Sequence, residues 1–134
     1  MAEKFAMPIV VRFRDIDAMG HVNNAVFVTY FEEARKAFFF KILKTSDLTA
    51  FPFVLAHISC DYIHPVRLNT PLSLSLWVKE IGKKSFHLGY RLTDPLDESI
   101  VYAAGESVQV CFDYRLGRSM EVPAELKQKL LEYQ

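Results

Sequence analysis

Asp15, Asp17, Gly20, His21, Asn23 and Asn24 fall within RFRDIDAMGHVNN, residues 12–24, and the apolar pattern AVFVTYFEEARKAFFF follows at once. Carboxylates, an imidazole and amides therefore stand immediately ahead of a helix. A helix start offers unpaired backbone N–H groups and a partial positive charge. A carboxylate beside it can attack a carbonyl, or direct water at it, while those N–H groups hold the oxygen. That layout suits hydrolysis of an acyl derivative. The bland alternative for Asp17 is an Asx-turn, in which its carboxylate accepts from loop N–H groups. Residue chemistry alone leaves both readings open. Asp15 reads as structural, a partner for Arg12 or Arg14. His21 reads as a loop histidine near the site, shaping the approach to the helix. Asn23 or Asn24 is the expected N-cap.

The remaining polar residues carry less. Glu32 and Glu33 belong to the polar edge of the helix, with Lys36 at pairing distance from Glu32. His57 and Asp61 lie on the polar face of a strand, and His64 ends it ahead of Pro65. No histidine pair has zinc spacing. Ser85 follows Gly82-Lys83-Lys84 without a Gly-x-Ser-x-Gly motif, so it makes a poor nucleophile.

The elements that must hold these residues are legible in outline. Residues 7–13 (MPIVVRF) predict a first strand, and residues 14–23 a loop turning at Gly20. A helix from 24 to about 44 carries Val26, Phe27, Tyr30, Phe31, Ala34, Ala37, Phe38 and Ile42 at helical spacing. Val28, Phe39, Phe40 and Leu43 widen that stripe, which predicts burial on several sides. Four stretches then alternate with period two. Val54, Ala56, Ile58, Cys60 and Tyr62 share one face of the first. Leu72, Leu74, Leu76 and Val78 mark the second, and Phe86, Leu88, Tyr90 and Leu92 the third. Ile100, Tyr102, Ala104, Val108, Val110 and Phe112 share one parity of the fourth, interrupted by Glu106. Turns at 80–84 and 94–98 suit antiparallel hairpins. A short helix over 124–133 follows Pro123. The expectation is one α+β domain over residues 1–134, its curved antiparallel sheet wrapped round one long helix. Free sheet edges must be paired or covered, and pairing across a two-fold axis would give a homodimer.

Composition bounds the rest. The chain has 134 residues, 51% of them hydrophobic, with eleven phenylalanines and zero net charge. That supports one packed core and argues against a nucleic-acid binder. The longest uncharged stretch, residues 48–60, is too short to span a bilayer. The start, MAEKFAMPIV, does not read as a secretory signal. Cys60 and Cys111 form no disulfide framework and fit reduced thiols in a cytoplasmic protein.

RFRDIDAMGHVNNAVFVTYFEEAR resembles the opening of the 4-hydroxybenzoyl-CoA thioesterase family, whose fold is called the hotdog. The central YIHPVRLNTPLSLSLWVKEIGKKSFHLGYRL and the final ESVQVCFDYRLGRSMEVPAELKQKL are similar to later parts of that family, so the likeness spans nearly the whole chain. The resemblance implies hydrolysis of coenzyme A thioesters, or of acyl carrier protein thioesters in some members. In Asp-x-Asp-x-x-Gly the second aspartate is catalytic, which matches Asp17. A backbone N–H at the helix start, here that of Asn24 or its neighbour, polarises the thioester carbonyl. Gly20, His21, Asn23, Phe27, Tyr30, Lys83, Lys84 and Ser85 become candidates for binding substrate. Lys83, Lys84, Arg91 and Arg118 are candidates for the coenzyme A phosphates. The resemblance also implies a homodimer or homotetramer with sites at the dimer interface. It implies no metal and no cofactor beyond the coenzyme A of the substrate, and neither nucleic acid nor membrane insertion. The motif is also similar to the Asp-x-Asn-x-His-x-Asn-Asn segment of plant acyl-carrier-protein thioesterases, with Met19 in place of one asparagine. Two alternatives stay in view: a non-catalytic acyl-CoA binder and an enoyl-CoA hydratase. Hotdog hydratases place a histidine five residues after the aspartate, whereas His21 follows Asp17 by four.

Overall fold

A computed structural model describes residues 3–134 of the chain; the first two residues of the start read for a secretory signal lie outside it. The elements run β1 (Phe5–Ile9), a 3-10 turn (Phe13–Asp15), α1 (Asn24–Ile42), a second 3-10 turn (Leu48–Ala50), β2 (Phe53–Tyr62), β3 (Leu72–Ile81), β4 (Ser85–Thr93), β5 (Val101–Asp113), β6 (Arg118–Ser119) and α2 (Ala124–Leu131). The main sheet has the order β1-β3-β4-β5-β2, and β6 pairs with the end of β5. Every described pairing is antiparallel. The sheet curls round α1, which contacts β1, β2 and β3, and this is the hotdog arrangement expected above. Among the described residues no helix is long and apolar enough to cross a membrane.

The first strand departs from expectation. It ends at Ile9 instead of running to residue 13. Asp15 explains the break: its Oδ2 accepts the Arg12 N–H at 2.9 Å and closes a 3-10 turn. Val10 and Phe13 consequently lie exposed.

α1 starts where its cap dictates. Asn23 Oδ1 accepts the Ala25 N–H at 2.9 Å, so Asn23 is the cap. The helix stops at Ile42, two residues short of expectation, and Lys44 takes a left-handed φ of 52° just beyond. Phe31, Ala34, Phe38 and Phe39 are wholly buried. Phe38 meets Phe5 and Tyr133 edge-on at 5.4 and 4.9 Å, and Phe31 stacks on Tyr90 at 4.6 Å. Aromatic contacts of this kind add to the ordinary gain from burying apolar surface. On the polar edge Lys36 pairs with Glu33 at 2.9 Å, not with Glu32, and both partners are exposed. Such a pair stabilises little.

Two strands show different faces from those their alternation suggests. In β2 the register shifts between Leu55 and His57, a bulge at Ala56. An extra residue exchanges the faces beyond it. Ile58, Cys60 and Tyr62 therefore share a face with Phe53 and Leu55, not with Val54. In β5 the buried residues are Ala103, Ser107, Gln109 and Cys111, whereas Tyr102, Ala104, Val108, Val110 and Phe112 are half-buried on the other face. The reason lies in β4. Phe86, Leu88, Tyr90 and Leu92 are fully buried and stand opposite Gln109, Ser107, Gly105 and Ala103. These large side chains fill the space beneath α1, so β5 contributes small or hydrogen-bonded groups there. Tyr90 Oη and Ser107 Oγ share a hydrogen bond at 2.6 Å, Arg35 Nη1 donates to Tyr90 Oη at 3.1 Å, and the Gln109 amide bonds Ser107.

Candidate active site

The loop between β1 and α1 is a small closed hairpin. Ile16 and Val22 form an antiparallel bridge, and the Asp17 N–H donates to the His21 carbonyl at 2.8 Å. Gly20 makes the turn with φ 79°, a conformation that suits glycine, and its N–H donates to the Asp17 carbonyl at 3.0 Å. The loop is tied outward as well, since the Asn23 N–H donates to the Asp15 carbonyl at 2.9 Å and the Val22 N–H to the Val66 carbonyl at 2.7 Å.

Inside this hairpin Asp17 forms the Asx-turn that residue chemistry allowed. Its Oδ1 accepts the Met19 N–H at 2.9 Å and the His21 N–H at 3.2 Å. Only one oxygen is used in this way: among the described residues Oδ2 has no hydrogen-bond partner. The turn thus holds the carboxylate still and leaves one oxygen for other chemistry. The helix start is similarly divided. Ala25 N–H goes to the Asn23 side chain and Val26 N–H to the Asn23 carbonyl, while Asn24 N–H has no partner among the described residues. It is a helix-terminal donor of the kind that holds anions.

Asp17, His21, Asn24 and Phe27 line one half-open cleft of about 230 Å³. The opposite wall comes from the end of β2 and the residues after it: Tyr62, Ile63, His64 and Pro65. None of these four stood among the candidates from sequence. Tyr62 Oη donates to the Asn24 carbonyl at 2.8 Å, and its ring meets Phe27 edge-on at 5.1 Å. No local signal marks that contact, because 38 positions separate the partners.

Other candidates stand elsewhere in the chain. Gly20 and Asn23 shape the loop and cap but do not line the cleft. Tyr30 Oη donates to Asp15 Oδ2 at 2.7 Å, so Asp15 serves both the 3-10 turn and the helix. Lys83, Lys84 and Ser85 lie at the far end of the sheet: Ser85 pairs with Val110, whereas Tyr62 pairs with Ala103. Lys83 is exposed and 3.5 Å from Glu121. His57 and Asp61 are exposed along β2, and Arg91 and Arg118 are exposed on β4 and β6. Among the described residues no three His, Cys, Asp or Glu side chains are grouped to hold a metal ion.

Burial, followed by the hydrogen bond to Asp15 and that carboxylate's charge, pushes the Tyr30 phenol well above its ordinary value of 10.0. The folded state then holds this proton more tightly than the unfolded chain. Linkage makes that contribution complete below pH ~10 and lost progressively above it. Tyr30→Phe should flatten the fall of stability in this alkaline range, as read from denaturant melts at a series of pH values. An unchanged alkaline slope would show that the Tyr30 phenol does not set it.

The model of the thioesterase-like superfamily matches residues 11–130. The chain is 31% identical to the long-chain acyl-CoA thioesterase FadM of Escherichia coli, covering 91% of this chain and 93% of that protein. It is 32% identical to the 1,4-dihydroxy-2-naphthoyl-CoA hydrolase of Nostoc punctiforme, covering 90% and 82%. Among solved structures, a thioesterase of Thermus thermophilus complexed with coenzyme A and Zn superposes with a TM-score of 0.82 at 31% identity, over 93% of this chain and 90% of that one. The match to the superfamily takes in the Asp17 hairpin, α1 and the whole of the main sheet beyond it, and on that span the chain belongs to the thioesterase-like superfamily.

Proposed function

We propose that this protein hydrolyses an acyl-CoA thioester to a free acid and coenzyme A. One observation carries the reading: Asp17 and Asn24 line the same cleft, and among the described residues one Asp17 carboxylate oxygen and the Asn24 N–H have no partner. As general base, Asp17 takes a proton from water as the water oxygen adds to the thioester carbonyl carbon. As nucleophile, its carboxylate adds instead and forms an anhydride that water then cleaves. In both routes negative charge grows on the carbonyl oxygen, where the Asn24 N–H meets it. Collapse breaks the carbon–sulfur bond and releases the thiolate of coenzyme A. A thiol ionises near pH ~8.5, so this leaving group needs little help from an acid. In heavy-oxygen water a single turnover labels Asp17 itself only in the nucleophilic route, and there only when water attacks the Asp17 carbonyl carbon of the anhydride.

The relatives named for acyl-CoA and aryl-CoA hydrolysis support coenzyme A as the carrier, with acyl carrier protein as the second candidate. The chemistry calls on no cofactor beyond the coenzyme A of the substrate. Free Cys60 and the buried Cys111, whose thiol burial pushes up to about 11, suit the reducing cytoplasm.

Topology supports a homodimer, alone or within a tetramer. β2 is an edge strand of the main sheet. Antiparallel pairing of β2 with its copy would set the Phe53 end of one strand beside the Tyr62 end of the other. Cys111 pairs with Phe53 and donates its N–H to the Lys84 carbonyl, so Lys83, Lys84 and Ser85 travel with the Phe53 end. Those residues would then reach the partner's cleft, where the lysines could meet phosphates. The test is a thiol-release screen over acyl-CoA chain lengths, aryl-CoA esters and acyl carrier protein. Catalytic thiol release from at least one member is the expected result. Tight acyl-CoA binding without release would leave a binder in place of an enzyme.

A further inference from the structure

Tyr62 ends β2 directly over the start of α1, and the residue is 47% exposed. A hydroxyl on so exposed a residue contributes little to the core. We infer that Tyr62 is a positioning residue for the hydrolysis, acting through the first peptide unit of α1; the inference rests on the thioesterase reading above.

The peptide unit joining Asn24 to Ala25 is held at both ends. Its carbonyl accepts from Tyr62 Oη at 2.8 Å, and its N–H donates to Asn23 Oδ1 at 2.9 Å. The unpaired Asn24 N–H belongs to the adjoining peptide unit and shares the Asn24 Cα. Fixing one unit limits how far the other can swing. Tyr62 is itself well placed to act as a fixed post. Its ring lies edge-on to Phe27 at 5.1 Å. Beyond it, the Ile63 and His64 N–H groups both donate to the Tyr102 carbonyl, at 2.9 and 3.1 Å. Two residues further, the Val66 carbonyl accepts Val22 N–H at 2.7 Å and so ties this segment to the Asp17 hairpin. The end of β2 therefore joins three parts: the sheet, the carboxylate loop and the helix start. Desolvation holds the phenol above its usual range, so Tyr62 stays protonated as a donor. Oxyanion donors act through preset geometry, and a small misplacement is expensive in rate.

The experiment is Tyr62→Phe, which removes the hydroxyl and keeps the ring on Phe27. The variant, the wild type and Asp17→Asn are compared on the best acyl-CoA found in the screen. The expected result is a fall in kcat of about ten- to a hundredfold, with KM within about twofold and Tm little changed. Asn23→Ala, which frees the other end of the same peptide unit, should give a fall of the same kind. Asn23→Ser, which restores a capping oxygen, should recover most of it. Should Tyr62→Phe fail to fold, Tyr62→His, which keeps a ring beside Phe27 but is too short to reach the Asn24 carbonyl, is read by the same split between kcat and KM. A kcat within about twofold of wild type, or a loss confined to KM, overturns the inference. If Asp17→Asn is inactive while Tyr62→Phe is fully active, only the role of Tyr62 falls. If the wild type releases no thiol, both fall together.

Discussion

Asp17→Asn should lower thiol release by about a thousandfold or more while leaving the protein folded; a general base alone contributes about 10² to 10⁴ in rate. The substitution is isosteric, and its side-chain oxygen can still accept from the Met19 and His21 N–H groups that hold Asp17 Oδ1. The hairpin closed by the Ile16–Val22 bridge and the left-handed Gly20 should therefore survive. What goes is the charge and basicity of the oxygen that the turn does not use. Asp17→Ala removes the turn as well, so its effect would mix chemistry with folding. The measurement is steady-state thiol release together with a thermal melt of each variant. Turnover within about tenfold of wild type in a folded Asp17→Asn protein would remove Asp17 from the chemistry.

Gly105→Ala should produce the largest loss of stability from a single methyl group, about 3 kcal/mol, at the upper end for an overpacked core. Gly105 sits in β5 between Cys60 of β2 and Tyr90 of β4. A Cβ there would fall inside contact distance of the Ser59 carbonyl oxygen and 2.6 Å from the Phe31 ring. The carbonyl belongs to a paired backbone and cannot turn aside. Phe31 is wholly buried and stacked on Tyr90 at 4.6 Å, so it has no other place to go. Relief requires α1 or β2 to move, and both carry walls of the cleft. A thermal melt should show Tm lower by about 10 °C. A shift under about 2 °C would mean that Phe31 and β2 yield more freely than their packing indicates.

The helix and its cap were legible because their signals are local. Apolar residues recur every three or four positions, and an asparagine precedes them. The Asp17 hairpin was legible as a loop, and Gly20 marked its turn. The face of β2 was not, because a one-residue bulge at Ala56 leaves no mark in an alternating stretch and reverses every side chain beyond it. The face of β5 was not either. Its apolar residues Val108 and Val110 lie on the outer side, and the inner side carries Ser107 and Gln109 because β4 supplies Phe86, Leu88 and Tyr90. That outcome depends on which strand is the neighbour. Half of the site was hidden for a related reason. Asp17, His21, Asn24 and Phe27 cluster in the chain, but Tyr62 and His64 reach the cleft only through the sheet. Lys83, Lys84 and Ser85 are candidates through family resemblance alone, and within one chain they lie at the other end of β4.

The Asp17 carboxylate and the Asn24 N–H should address the same carbonyl. The most direct measurement is a crystal structure with an acyl-CoA analogue in which a methylene replaces the thioester sulfur, so that the ketone cannot be hydrolysed. The ketone oxygen should lie about 3 Å from the Asn24 nitrogen. The carbonyl carbon should lie about 3–3.5 Å from Asp17 Oδ2, or from a water bound to it. A ketone seated away from the helix start, or an Asp17 carboxylate turned out of the cleft with the analogue in place, would contradict it.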